Sequence, residues 1–381
     1  MGLLTVNSTI DRIRSSSLRG RPVPAVDDLV DLSRGEPDFD TPAPIVAAMN
    51  TALAAGFTHY PDPQGDPELR AVLAAHLNTR SSRDITAAEV VVTHGGSAGL
   101  MAAVLTVVSP GDRVVIPEPT YSLYADLVEL AGGSVDLVPL TPDHQLDLAV
   151  LESRLPGARM IVLCNPGNPT GAVFPREDLE HLGSLLEGTD TLLLSDEAYD
   201  SFAFDAPFTS ALAVPSLAHR TIHVQTFSKT YAMTGWRLGY VTVPEPLAPV
   251  LTYVHRTMNG GVNSAVQQAA ITAVEMGEAA YTDMVAAFRE RRDFVSARLE
   301  QIPGVTHTPP QGAFYTFFTY PQDRPSEDMR LEFASRGVSL RAGAEYGPGG
   351  EGRLRLSFAT DLSTLSTALD RIELGIKEID G

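Results

Sequence analysis

RTIHVQTFSKTYAMTGWRLGY, residues 220–240, is the stretch on which the reading of this chain turns. Its first half, RTIHVQTFSK (220–229), has the β-branched, apolar character of a buried strand and ends on Lys229. A lysine at the end of a buried strand is costly unless it is paired or used. Desolvation and neighbouring cations lower a lysine pKa and make the amine a nucleophile towards carbonyl groups. The hydroxyls of Thr226 and Ser228, with the guanidinium of Arg237 further on, form a set able to hold a phosphate dianion. Taken alone, a lysine such as Lys229 is more often a strand-end cation reaching for solvent, the ordinary place for a charge. Its rarity sharpens the question. The 381 residues contain only one other lysine, Lys377, in GIKEIDG near the end of the last helix, where a cation suits the helix dipole.

Outward from this stretch, apolar strands alternate with amphipathic helices. EVVVTH (89–94) reads as a buried strand and SAGLMAAVLTVV (97–108) as a helix closed by Pro110-Gly111. DRVVIPEP (112–119) is the next strand, followed by a helical stretch through LYADLVELAGG that stops at Gly132-Gly133. ARMIVLCNP (158–166) and DTLLLSDEAY (190–199) are further short strands, each ending in polar residues. This alternation predicts an α/β fold with a mainly parallel sheet covered by helices, whose ligands bind at the carboxyl ends of the strands. From about residue 276 the pattern changes to a long amphipathic helix, EMGEAAYTDMVAAFRERRDFVSARLEQI, then short strands, the loop EYGPGGEG and a closing helix. The expected division is a large domain over 46–285 and a smaller α+β domain built from both chain ends, 1–45 and 286–381. The first 45 residues read mostly as extended loop, ending in LSRGEPDFDTPAPI.

Composition excludes several classes. The formal net charge of −19 argues against nucleic-acid or anionic-membrane partners. A single cysteine, Cys164, excludes an intramolecular disulfide and a cysteine-cluster metal site. The first residues lack the apolar core of a signal peptide and carry Val6 where myristoylation requires Ser or Thr. No apolar run approaches membrane-spanning length. A cytoplasmic location and no metal are the expectations.

Four other motifs end predicted strands or carry fixed cations. Asn165-Pro166-Gly167-Asn168-Pro169-Thr170-Gly171 is a turn stiffer than a turn requires, which suits an amide aimed at a ligand. Ser195-Asp196-Glu197-Ala198-Tyr199 places a carboxylate and a phenol at a strand end, as an ordinary loop start also would. His94-Gly95-Gly96-Ser97-Ala98-Gly99 is a strand-to-helix turn whose amides can cradle a phosphate. It also matches G-x-S-x-G, the nucleophile elbow of α/β hydrolases, with Ser97 as nucleophile. Alternation in Arg353-Leu354-Arg355-Leu356 sends both arginines to one face, where a guanidinium offers a fork for a carboxylate.

In order, GEPDF, HYPDPQGDPELR, GGSAG, PTYS, NPGNPTG, SDEAY, TFSKTYAMTGWRLGY and RLRLSFA resemble the class I/II aminotransferases, pyridoxal-phosphate (PLP) enzymes of the aspartate-aminotransferase fold (fold type I). The resemblance runs from about Leu32 to the end. It implies a PLP-dependent transfer of the amino group of an α-amino acid to a 2-oxo acid, ping-pong, through an aldimine on Lys229. It further implies that Asp196 pairs with the pyridinium nitrogen, that Tyr199 and Asn168 hydrogen-bond the phenolic oxygen, and that Tyr121 stacks on the ring. The phosphate would lie on Gly96, Ser97 and Ala98, with Thr226, Ser228 and Arg237. Tyr60 would reach it from the neighbouring subunit of a homodimer. Arg355, helped by the backbone of Gly35, would clamp the substrate α-carboxylate. Two departures stand out. Ala98 leaves a main-chain contact only, and Ala342 replaces a proline common in relatives. Other outcomes on the same scaffold are β-elimination, cyclisation or oxidation of an amino acid. The hydrolase reading through Ser97 lacks a nominated acid and histidine. A PLP-sensing regulator would need a DNA-binding module that the residues before GEPDF are too few to supply. For an acidic substrate side chain the sequence offers Arg256 and Arg341, either of which also serves as a surface arginine.

Overall fold

The computed structural model describes residues 6–16, 26–205 and 207–379. After the two-residue strand β1 (Val30–Asp31) come the strands of the central sheet. These are β2 (Val90–Thr93), β3 (Arg113–Glu118), β4 (Ser134–Pro139), β5 (Met160–Cys164), β6 (Leu192–Asp196), β7 (Thr221–Thr226) and β8 (Gly239–Thr242). Their spatial order is β2-β8-β7-β6-β5-β3-β4. The pairs β4–β3, β3–β5, β5–β6 and β6–β7 are parallel, while β8 runs antiparallel to both β7 and β2. Strands β2, β5 and β7 are buried along their whole length, because helices cover both faces and no residue is left to alternate outward. The α/β expectation therefore holds, with β8 as the one reversed strand.

That reversal positions the site. Thr226 pairs with Gly239, so the segment between them leaves and re-enters the sheet at the same edge. Lys229, just after β7, and Arg237, just before β8, are thereby held at one end of the sheet. At that end the helix Gly95–Val107 also begins. It packs so closely on β8 that a Cβ on Gly239 would stand 2.7 Å from the Gln225 carbonyl oxygen and 2.9 Å from the Gly96 nitrogen.

A second sheet is antiparallel, in the order β11-β12-β9, from β9 (Tyr315–Thr319), β11 (Arg341–Ala342) and β12 (Arg353–Ser357). Strand β10 (Val338–Ser339) pairs in parallel with β1, and Leu32 continues the contact by accepting from the Ser357 N–H at 2.9 Å. The N-terminal segment thus lies against the C-terminal strands.

Three local expectations change. The N-terminal stretch contains a helix, Ser8–Ser16, where Asn7 Oδ1 accepts from the Thr9 N–H at 2.9 Å as an N-terminal cap does. The long helix expected from Glu275 is two, Ser264–Met276 and Thr282–Leu299, because Gly277 takes a positive φ of 56° and ends the first. Strand β4 carries no run of β-branched residues and was not expected, since its SVDLVP is mostly half-exposed at the sheet edge.

Candidate active site

The carboxyl ends of the strands and the segment 33–36 enclose a cavity of about 550 Å³. Its wall includes Gly35, Gly96, Ser97, Tyr121, Asn168, Asp196, Tyr199, Thr226, Ser228, Lys229, Arg237 and Arg355. These residues come from separate motifs of the sequence and meet in one space. Two expected residues are not in the wall. Ala98 lies one position further along its helix, and Tyr60 is fully exposed, away from the cavity of its own chain.

Lys229 is half-buried, and its Nζ donates to the Gly35 carbonyl at 2.5 Å. Burial lowers its pKa to about 8; Arg355 and Arg237 push the same way, against Glu36 and Asp196. About a tenth to a fifth of the amine is then neutral near physiological pH, far more than for an ordinary lysine, and the neutral form is the nucleophile towards a carbonyl.

One end of the cavity collects donors. It has the N-terminus of the helix Gly95–Val107, the hydroxyls of Ser97 and Ser228, and Arg237. Arg237 is held at a left-handed φ of 57° and donates through Nη1 to the Thr234 carbonyl at 2.8 Å. A non-glycine residue there stores about 1 kcal/mol or more of backbone strain, which the surrounding packing must offset. A Cβ on Gly95 would stand 2.8 Å from Arg237 Nη2, so the glycine lets the guanidinium lie against the helix start. The hydroxyl of Thr226 is engaged locally. It accepts from the Ser228 N–H at 3.1 Å and lies 2.9 Å from Ser228 Oγ and 3.2 Å from the Leu238 carbonyl oxygen. Its single proton is spent on one of these neighbours, which makes Thr226 a strut more than a phosphate donor.

The opposite end holds Asp196, buried at the tip of β6. Oδ2 accepts from the Tyr124 hydroxyl at 2.6 Å and Oδ1 from the Ala198 N–H at 3.2 Å. Burial raises its pKa, and among the described residues no cation forms an ion pair with it. Such a carboxylate lacks a cationic partner, and a pyridinium N–H is one. With a phosphate cradle at one end, an unmatched acid at the other and a low-pKa lysine between them, the donor set fits pyridoxal phosphate.

Above this, Arg355 is buried on β12. Its Nη1 donates to Asn168 Oδ1 at 2.9 Å and Nη2 to the Ser33 carbonyl at 2.6 Å, while Nε has no partner. The guanidinium lies 4.2 Å from the ring centroid of Tyr315, whose hydroxyl is 3.0 Å from that of Tyr199. An unsatisfied buried N–H in a cavity wall is a donor that lacks its acceptor. Arg353, the other arginine of the alternation, instead donates to the Gly349 carbonyl at 3.1 Å near the surface.

Sequence reasoning missed Tyr124 and Tyr315. Tyr124 opens the helix Leu123–Leu130 just after Tyr121, and the two rings meet edge to face at 5.7 Å. Tyr315 had no signal beyond GAFY, because nothing local tells which strand of the second sheet faces Arg355. The hydrolase reading fails on geometry. The residue of the turn with a left-handed φ is Gly95, at 74°, whereas Ser97 lies inside the helix, and among the described residues no histidine bonds its hydroxyl.

The chain is similar to known proteins over most of its length. The family described as aminotransferase class I and II matches residues 27–372. An aspartate aminotransferase of Thermotoga maritima is 37% identical over 350 residues, 91% of each chain. An arginine–pyruvate transaminase of Pseudomonas aeruginosa is 36% identical over 358 residues, covering 92% of this chain and 90% of that one. The crystal structure of an aromatic aminotransferase from Pyrococcus horikoshii superimposes with a TM-score of 0.90 at 31% identity, over 98% of this chain and 100% of that one. The chain belongs to the class I and II aminotransferases, pyridoxal-phosphate enzymes that move an amino group from an amino acid to a 2-oxo acid.

Proposed function

We propose that amino-group transfer takes place in the cavity around Lys229, and that the residues of its wall divide the work as follows. The observation that carries this reading is the placement of a lysine of depressed pKa between the Arg237 cradle and the unpaired Asp196. Pyridoxal phosphate, when bound, supplies an aldehyde that condenses with amines and a ring that draws electrons from the bonds at the substrate Cα. Gly96, Ser97, Ser228 and Arg237 hold its phosphate, with the helix N-terminus favouring the negative charge. Asp196 would hold the ring nitrogen protonated, with Tyr124 keeping that carboxylate aimed. Tyr199 and Asn168 would hydrogen-bond the phenolic oxygen, and Tyr121 would stack on the ring.

Arg355 binds the substrate α-carboxylate, for which its unpartnered Nε is the donor on hand, with the backbone of Gly35 beside it. Fixing that carboxylate would set the Cα–H bond towards Lys229, whose free amine would accept the Cα proton and deliver it to the cofactor carbon that takes up the amino group. Proton transfer by a positioned amine with a pKa near the working pH is efficient. The oxo acid product then leaves and a second oxo acid takes its place on Arg355, so the kinetics are ping-pong.

We also read the functional unit as a homodimer. Support comes from Tyr60, which is fully exposed, and from the exposed apolar residues Val46, Leu53, Phe57, Val250 and Tyr253 on the helices Ala43–Ala54 and Ala248–Asn259 and the segment between Ala54 and Tyr60. The division into 46–285 against 1–45 with 286–381 belongs to the same proposal, with the cavity between the two parts.

The test uses the two lysines. Lys229→Ala is expected to lose the visible absorption band of the bound cofactor and all transfer between an amino acid and a 2-oxo acid. Lys377→Ala keeps both. The reverse pattern would overturn the reading.

A further inference from the structure

The glycines of EYGPGGEG (345–352), between β11 and β12, close on a single carboxylate. It belongs to Glu118, the last residue of β3 in the central sheet, which is 5% exposed. Oε2 accepts from the Gly349 N–H at 2.8 Å, the one hydrogen bond the carboxyl group has among the described residues. Burial raises the pKa of Glu118, and the Gly349 N–H works against that rise. A buried acid served by one N–H is costly, and an apolar side chain would fill the same space at less expense.

The loop is shaped to reach this acid. A Cβ on Gly347 would stand 2.5 Å from Oε2. One on Gly349 would stand 2.8 and 2.9 Å from the two carboxyl oxygens, and its three nearest atoms all belong to the Glu118 carboxyl group. Gly349 does not have a positive φ, so an alanine there strains the contact and not the backbone.

From this point the loop holds both sides of the cavity. The Tyr346 carbonyl accepts from the Thr120 N–H at 2.8 Å, next to Tyr121. The Gly349 carbonyl accepts from Arg353 Nη1 at 3.1 Å, two residues before Arg355 on β12. Within the loop, Glu345 takes Arg341 at 3.0 Å. The ring of Tyr346 is part of the cavity wall and lies 5.3 Å from the Arg355 guanidinium. Glu118 itself is outside the wall. It ties the strand that leads into Tyr121 to the loop that packs on Arg355.

We propose that Glu118 is a positioning residue: its bond to the Gly349 N–H fixes the loop 343–352, and with it Tyr346 and Arg355, against the end of the central sheet, so that substrate is held in register with the cofactor. The inference rests on Arg355 holding the substrate α-carboxylate.

The experiment adds the best amino donor from a panel of the twenty amino acids to the PLP-loaded enzyme. The spectral change of the first half-reaction then gives a limiting rate and a half-saturating concentration. Glu118→Ala and Gly349→Ala are each expected to raise the half-saturating concentration about ten-fold, while PLP affinity by fluorescence titration stays within about two-fold. Glu118→Gln, which keeps an oxygen for the N–H, recovers part of the loss. The double variant Glu118→Ala/Gly349→Ala is expected to match the single ones within about two-fold, because both substitutions remove the same contact. Single variants with unchanged half-saturation, losses that multiply in the double variant, or an equal loss of PLP affinity overturn the assignment. Arg355→Ala separates the inference from its premise. A loss there with none in Glu118→Ala overturns the tie alone. No loss in Arg355→Ala overturns the reading of Arg355, and the inference falls with it.

Discussion

Lys229 carries a charge in the folded, cofactor-free protein only at a cost, and that cost has a measurable pH dependence. With its pKa lowered to about 8 by burial, the neutral fraction rises about five-fold between pH 7 and pH 8 and less than two-fold above that. An unperturbed amine near 10.4 would gain about ten-fold per unit throughout. Acetylation of Lys229 in the cofactor-free protein, followed by mass spectrometry of its peptide, is expected to show the early plateau. The sign for stability follows. Between the folded and unfolded pKa values the unfolded chain binds more protons, so stability rises with pH from about 8 towards 10.4. Lys229→Met, which has no proton to lose, should flatten that slope in denaturant melts. Tyr124 offers a second test at this scale. Tyr124→Phe removes a buried hydrogen bond of 2.6 Å to the Asp196 carboxylate. A bond to a charged group contributes about 1.5–3 kcal/mol, so PLP affinity measured by fluorescence titration should weaken about ten-fold or more. Lys229, Asp196 and Arg355 were legible in the sequence because each follows, ends or lies on a strand. Glu118 also ends a strand, but its task was not legible, because its partner Gly349 lies 231 residues further along the chain.

At the scale of elements, the close seating of the helix Gly95–Val107 on β8 decides whether the phosphate cradle exists. Gly239→Ala would drive a Cβ to within 3 Å of three backbone atoms, none of which is the end of a flexible side chain. Forcing such a contact costs about 1–3 kcal/mol or more, so a fall in the thermal midpoint is expected together with weaker binding of PLP. A Gly239→Ala protein with unchanged midpoint and affinity would show that the helix has room to move and that the cradle is not so fixed. The strands were readable from their apolar runs. The reversal of β8 was not, because GYVT carries no mark of direction. Only the pairing of Thr226 with Gly239 explains how a guanidinium well along the chain returns to the edge where Lys229 sits. The break at Gly277 escaped for the opposite reason, since the amphipathic pattern continues across it while the backbone does not.

For the whole molecule, the expected unit is twice the 40.7 kDa chain. Sedimentation equilibrium is expected to report that mass, and Tyr60→Phe to weaken PLP without altering it. A monomer that binds PLP normally would end the two-subunit reading. The alternation of strands and helices foretold the α/β architecture, while the surface that would join two chains has no motif of its own. It shows only when Leu53, Phe57 and Tyr60 are found uncovered in the fold. The central claim is that one lysine carries the chemistry, and one measurement addresses it directly. The PLP-loaded protein is reduced with borohydride, which fixes the cofactor to whichever amine holds it, then digested and sequenced by mass spectrometry. The account predicts the pyridoxyl mass on Lys229 at one per chain, lost when an amino acid is added before reduction. A mass on Lys377, or on Lys229 but unaffected by the amino acid, would contradict it.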